Sequence, residues 1–154
     1  MAEPKVVYGA DGLRALAGEH VGYSDWLEVN QDQVNQFANA TGDHQWIHVD
    51  TDRAAKGPFG QTIAHGFLTL SLIPWVLPQV LDVRGFSMGV NYGLDRVRFP
   101  APVPVGSRIR GGVVVEEVTE VGDGGVQTSL TVTFELDGGG KPVCVARFLE
   151  RRYP

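Results

Sequence analysis

From Phe86 onward the hydrophobic period becomes strand-like. The clearest case is Leu130, Val132, Phe134 and Leu136, alternating with Ser129, Thr131, Thr133 and Glu135. That period describes a strand with one face on a core and one in water. The alternation predicts four strands, over 87–99, 108–121, 126–136 and 143–151. Gly122-Asp123-Gly124-Gly125 and Asp137-Gly138-Gly139-Gly140 separate the last three as hairpin turns. Pro100, Pro102 and Pro104 with Gly106 make a stiff connection between the first two.

The first half has a different rhythm. Asp11 to Gly18 reads as a short helix capped by Asp11 and stopped by Gly18, with Leu13 and Leu16 on one face. A strand over 23–29 follows. Asn30 is then placed to cap a helix over 31–40 whose stripe is Val34, Phe37 and Ala38. Asp50 can cap one more turn through Ala55, before the loop Gly57-Pro58-Phe59-Gly60. Residues 62–73 form the most apolar helix of the chain, apolar on nearly all sides, which predicts a helix wrapped by the sheet. Pro74 should kink it or end its regular part. A single apolar helix against a long antiparallel sheet is an α+β layout. An edge strand of that length predicts a homodimer that pairs edges.

Composition narrows the function. The chain has 154 residues, enough to bury one core, and is read as a single domain over 1–154. A net charge of −5 argues against a general nucleic-acid binder or a polybasic membrane module. The longest apolar run, residues 67–80, contains Pro74 and Pro78 and is too short to span a bilayer. The N-terminus lacks a secretory pattern, so the expected compartment is the cytoplasm. Cys144, the one cysteine, lies between Val143 and Val145 and reads as a buried thiol with no basic partner in sequence.

The candidate chemistry sits between the predicted helix over 31–40 and the turn at Asp50. Asp43, His44, His48 and Asp50 bring two carboxylates and two imidazoles into eight residues. Asp43 and His48 are five apart, so in a bent loop both can reach one small molecule. A carboxylate and an imidazole sharing a water suffice for general acid-base work near neutral pH. The same residues also fit a wet loop whose aspartates cap short helices. His44 and His48 have the spacing of helical metal ligands. Gly42-Asp43 argues against a helix there, and no third ligand follows. Gly66, near the start of the apolar helix, would leave an N–H in open space where the helix dipole favours negative charge.

These residues resemble a known family. Ala40-Thr41-Gly42-Asp43 followed after four residues by His48 is similar to the hydratase-2 motif of the MaoC-like (R)-specific enoyl-CoA hydratases, Gly-Asp-x-Asn-Pro-hydrophobe-His. Arg53-Ala54-Ala55, Ile63-Ala64-His65-Gly66-Phe67-Leu68 and the segment from Val97-Arg98-Phe99-Pro100 to Gly106 match in order and spacing. Together they span roughly residues 20 to 150. Gln45 and Trp46 depart from the family's Asn and Pro, which bears on substrate preference more than on chemistry.

The resemblance implies a hot-dog fold, a homodimer, no metal or organic cofactor, and reversible hydration of trans-2-enoyl-CoA to (R)-3-hydroxyacyl-CoA in fatty-acid metabolism. Under it Asp43 and His48 are the catalytic pair and the Gly66 N–H is the oxyanion donor. Gln45, Trp46, His65, Asn91, Tyr92 and Arg98 are the candidate substrate contacts. His65 also reads as a structural histidine bonding the loop backbone, and Arg98, with Lys56, as a contact for coenzyme A phosphates. The alternatives are an acyl-CoA thioesterase on the same fold and a non-catalytic acyl-binding subunit of a dehydratase complex.

Overall fold

The structure, a computed structural model, describes residues 3–154. The chain opens with β1 (Lys5–Tyr8) and α1 (Gly9–Arg14), followed by β2 (His20–Tyr23) and β3 (Leu27–Glu28). Three helices come next, α2 (Gln31–Thr41), α3 (Trp46–Val49) and α4 (Thr51–Ala55). A broken helix follows as α5 (Gly66–Ser71) and α6 (Ile73–Val80), then β4 (Leu81–Arg84). The long strands are β5 (Met88–Arg98), β6 (Arg108–Glu120), β7 (Val126–Leu136) and β8 (Cys144–Tyr153), within about two residues of the alternation that predicts them.

The large sheet runs β2-β6-β7-β8-β5, antiparallel at every pairing, with β3 beside β2 on the β6 edge. β1 and β4 form a separate parallel pair. One face of the sheet supplies Val113, Val115, Leu130, Val132, Phe134, Ala146 and Phe148 to a core shared with Leu68, Ile73, Val76 and Val80 of the broken helix. This is the hot-dog arrangement, a helix held against the inner face of a curved antiparallel sheet. The helix comes very close to β6. A Cβ on Gly111 would lie 2.6 Å from Cγ2 of Val76, which is 0 % exposed.

The predicted elements of the first half shift where tertiary bonds compete with local pattern. The strand expected over 23–29 divides into β2 and β3 at Ser24. The Ser24 N–H donates to the Gly111 carbonyl, its Oγ accepts from the Gly111 N–H, and the Asp25 N–H goes to Oε1 of Gln79. α1 starts two residues before Asp11, which sits in its first turn and pairs with Arg14 at 2.9 Å instead of capping. Leu13 and Leu16 are buried, as their spacing requires.

The largest difference is at the apolar helix, which starts at Gly66 and not Thr62. Residues 62–65 are extended because their backbone has other partners. The Ala64 N–H donates to the Val103 carbonyl at 2.8 Å and the Val105 N–H to the Thr62 carbonyl at 3.0 Å. The helix breaks at Leu72, and Pro74 lies in the first turn of α6, where the missing N–H costs nothing. Nor is the helix wrapped on all sides: Phe67 is 67 % and Trp75 36 % exposed. Among the described residues no helix is long and apolar enough to cross a membrane. Cys144 is buried in β8, and desolvation pushes its thiol up to about 12, so it is inert at neutral pH.

Gly111→Ala should therefore force Val76 out of its place and cost about 1–3 kcal/mol. Gly122→Ala, where an added Cβ meets nothing within 4 Å, should stay within about 0.5 kcal/mol. Urea midpoints of the two variants test this, and equal midpoints would show that the α6–β6 contact is not tight.

Candidate active site

α2 places the first catalytic candidate. Asn30 caps it by accepting the Gln33 N–H at 2.9 Å, and Val34 and Ala38 bury its inner face. It ends at Gly42, whose φ of 82° is the left-handed turn glycine permits. Asp43 follows at once. Its Oδ1 accepts the Gln45 N–H at 3.3 Å, which bends the chain into the single turn of α3. His48 sits in that turn and is 7 % exposed.

Two bonds fix His48. Gln31 donates from Nε2 to its carbonyl at 2.7 Å, while Oε1 of Gln31 accepts from Thr62 Oγ1 at 2.7 Å. The ring itself is set by Nδ1 against the Ile63 carbonyl at 2.7 Å. A carbonyl only accepts, so Nδ1 carries the proton and Nε2 presents a lone pair. Nε2 lies 3.9 Å from Oδ2 of Asp43. That gap is too long for a direct hydrogen bond and suits one water held between two acceptors. Burial lowers the pKa of His48. The Ile63 carbonyl opposes that shift, His65 adds to it, and the Asp43 carboxylate opposes it again. The net effect favours the neutral ring a general base requires.

His48 opens on a cavity of ≈ 290 Å³ whose walls include Ile63, Gly66, Thr69, Phe99 and Val143. Gly66 is the first residue of α5, so its N–H has no carbonyl within the helix to receive it. A Cβ there would stand 2.9 Å from Cδ2 of Phe99. Only glycine lets the Phe99 ring lie this close to the helix start. The cavity is mostly apolar, with the His48 imidazole and the Gly66 N–H on its lining, and Asp43 reaches it only through its 3.9 Å approach to His48.

His65 is buried behind this pair. Its Nε2 donates to the Asp43 carbonyl at 2.9 Å, and its ring stacks on His48 with centroids 3.9 Å apart. Asp43, His48 and His65 each offer a ligand atom within 4.8 Å of the others, the one such grouping among the described residues. The bonds to the Ile63 and Asp43 carbonyls leave one free nitrogen on each ring, and that of His65, Nδ1, is buried without a hydrogen-bond partner.

Other residues singled out in the sequence lie elsewhere. Trp46 packs on Gly57 and under the Arg53 guanidinium, 4.3 Å from the ring centroid, so it staples α3 to α4 instead of lining the cavity. Gln45 caps α3 through its backbone alone. His44 turns outward to Asn39. Asn91 and Tyr92 line a different cavity of ≈ 280 Å³ with Leu70, Ser71 and Pro74. Arg98 shares a groove with Arg96, Arg147, Thr131 and Val145, on the sheet face opposite the helix. Strand alternation sends Arg98 to one side and Phe99 to the other. Lys56 ends α4 on the exposed surface. Sequence reasoning missed Gln31, Thr62 and the Ile63 carbonyl, whose roles depend on long-range bonds.

The chain is similar to several known proteins. The chain is 55 % identical over 139 residues to the 3-hydroxyacyl-thioester dehydratase Z of Mycobacterium tuberculosis, covering 90 % of this chain and 92 % of that one. It is 37 % identical over 110 residues to the 3-hydroxybutyryl-CoA dehydratase of Methylorubrum extorquens, covering 69 % and 68 %. Among solved structures, the (R)-hydratase from A. caviae involved in PHA biosynthesis superposes with a TM-score of 0.71 at 25 % identity, covering 88 % of this chain and 97 % of that one. The MaoC like domain matches residues 13–135. The chain belongs to the MaoC-like family.

Proposed function

We propose that this chain is an (R)-specific enoyl-CoA hydratase, a hydro-lyase that reversibly adds water to trans-2-enoyl-CoA to give (R)-3-hydroxyacyl-CoA. The observation that carries the reading is the Asp43 carboxylate set 3.9 Å from the lone-pair nitrogen of a buried His48, beside the cavity that Gly66 opens onto. The relatives named as dehydratases and (R)-hydratases support the same reaction class.

The chemistry follows from the geometry. With both Asp43 and Nε2 of His48 as acceptors, a water between them directs its two O–H bonds at the pair and an oxygen lone pair at C3. As the C3–O bond forms, the C2–C3 π electrons move toward C2 and the thioester oxygen. The Gly66 N–H stabilises the charge on that oxygen. One water proton passes to the Asp43–His48 pair, and C2 takes a proton from the pair, so the water's atoms are conserved. The two groups titrate as a unit.

The functional unit we propose is a homodimer of this single domain, in the cytoplasm. β5 is an edge strand with Met88, Val90, Tyr92 and Leu94 exposed, and the open face of the helix carries Phe67 and Trp75. Such a patch calls for a second copy. It would place Asn91 and Tyr92 at the seam.

Three outcomes follow. Asp43→Asn and His48→Gln should each lower kcat by about 10²- to 10⁴-fold while remaining folded. The readout is loss of enoyl absorbance with crotonyl-CoA, the product being assigned with an (R)-specific dehydrogenase. Release of free thiol would instead make the protein a thioesterase. Because His48 must be neutral and its pKa is lowered, kcat/KM should hold as pH falls past the ordinary histidine value of 6.5 and decline only below it. An acid limb above that value would contradict this assignment. Finally, sedimentation velocity should show a dimer that Leu94→Glu dissociates, and a monomeric wild-type chain would remove the dimer.

A further inference from the structure

Resting on that catalytic reading, we infer that His65 is the positioning residue of the site, one buried side chain that holds the Asp43 loop and the His48 ring in a single working geometry. It is 2 % exposed and is not one of the residues lining the cavity. Three contacts make the case. Its Nε2 donates to the Asp43 carbonyl at 2.9 Å, which ties down the backbone that carries the catalytic carboxylate. Its ring stacks on His48 at 3.9 Å with 23° between planes, so the imidazole cannot tip about its bond to Ile63. Its own backbone is the N-cap of α5, directly before Gly66. Through its ring and its backbone His65 is joined to all three catalytic elements.

The opposite side of the His65 ring is closed by Phe37 of α2 at 4.9 Å, and its Nδ1 is buried without a hydrogen-bond partner. A residue selected for core packing alone would not bury an unpaired ring nitrogen, because an apolar side chain of the same size avoids that cost. The polar ring is kept for the single bond it makes to Asp43 and for the face it offers His48. The groups facing His48 are Asp43 from the loop, His65 from the extended strap of residues 62–65 and the Ile63 carbonyl. Of the three, His65 is the one that adds to burial in lowering the proton affinity of His48.

Two substitutions separate the parts. His65→Gln keeps an N–H donor for the Asp43 carbonyl and loses the ring. His65→Phe keeps the ring and loses the donor. Each should lower kcat by about 10²-fold, the effect expected when reacting groups are misplaced by about 1 Å, with KM changed far less. In both, the acid limb of kcat/KM should move to higher pH, because the neighbour that opposes protonation of His48 is gone. A role confined to packing would lower Tm and leave that limb in place.

Asp43→Asn belongs in the same assay. If it is inactive while both His65 variants keep wild-type kcat and an unmoved limb, the inference about His65 fails and the catalytic pair stands. If Asp43→Asn turns over normally, the acid-base reading itself fails. Should the His65 variants not fold, ¹⁵N shifts of the wild-type rings decide the matter. The proton must sit on Nε2 of His65 and on Nδ1 of His48, and the opposite tautomer of His65 would overturn the inference.

Discussion

The hydrogen bond from His48 Nδ1 to the Ile63 carbonyl is the contact on which this structure's chemistry depends. It exists only because residues 62–65 are extended. In a helix beginning at Thr62, the Ile63 carbonyl would accept from the amide one turn later, and His48 would have no acceptor to fix its tautomer. The strap stays extended because its backbone pairs with Val103 and Val105. A few backbone bonds to a proline-rich turn thus decide both the helix start at Gly66 and the lone pair on His48.

The sheet provides the rigidity that such a small arrangement requires. β6, β7 and β8 bring Val113, Val132 and Ala146, each 0 % exposed, beneath the helix. Gly111 lets Val76 approach the sheet closely, and Gly66 does the same for Phe99 at the other end. Side chains larger than hydrogen at either point would lift the helix from the sheet, and the Gly66 N–H would move with it. Packing and catalysis therefore place the same demand on two glycines, for different reasons.

Much of this was legible in the residues. The alternation in β7 and its neighbours reports burial of one face, which depends on nearest neighbours along a strand and so survives in one dimension. The Asn30 cap is local too, and Gly42-Asp43 reads as a departure from helix, which places Asp43 just after α2. His65, read as bonding the loop backbone, does bond the Asp43 carbonyl, but the inferences that needed to know where a segment's own backbone finds distant partners failed. The run from Thr62 is apolar enough for a helix, and nothing within it announces the pairing with Val103. Gln31 looks like an ordinary solvated first-turn residue, yet it bridges His48 and Thr62. Arg98 sits beside Phe99 in sequence, but the pleat sends the two to opposite faces of the sheet.

The site also resolves a conflict between two requirements of the proposed reaction. An apolar cavity strengthens the pull of the Gly66 N–H on a developing negative charge, since few competing dipoles surround it. The same cavity would suppress a charged base. His48 meets both demands by being neutral at rest, with burial lowering its proton affinity and the Ile63 carbonyl and Asp43 raising it again. Asp43, half exposed, stays in contact with water. One member of the pair is thus desolvated and neutral, the other solvated and open to its substrate. The difference arises from their positions on the turn that follows Gly42: the carboxylate lies at its open start and the imidazole one helical turn deeper.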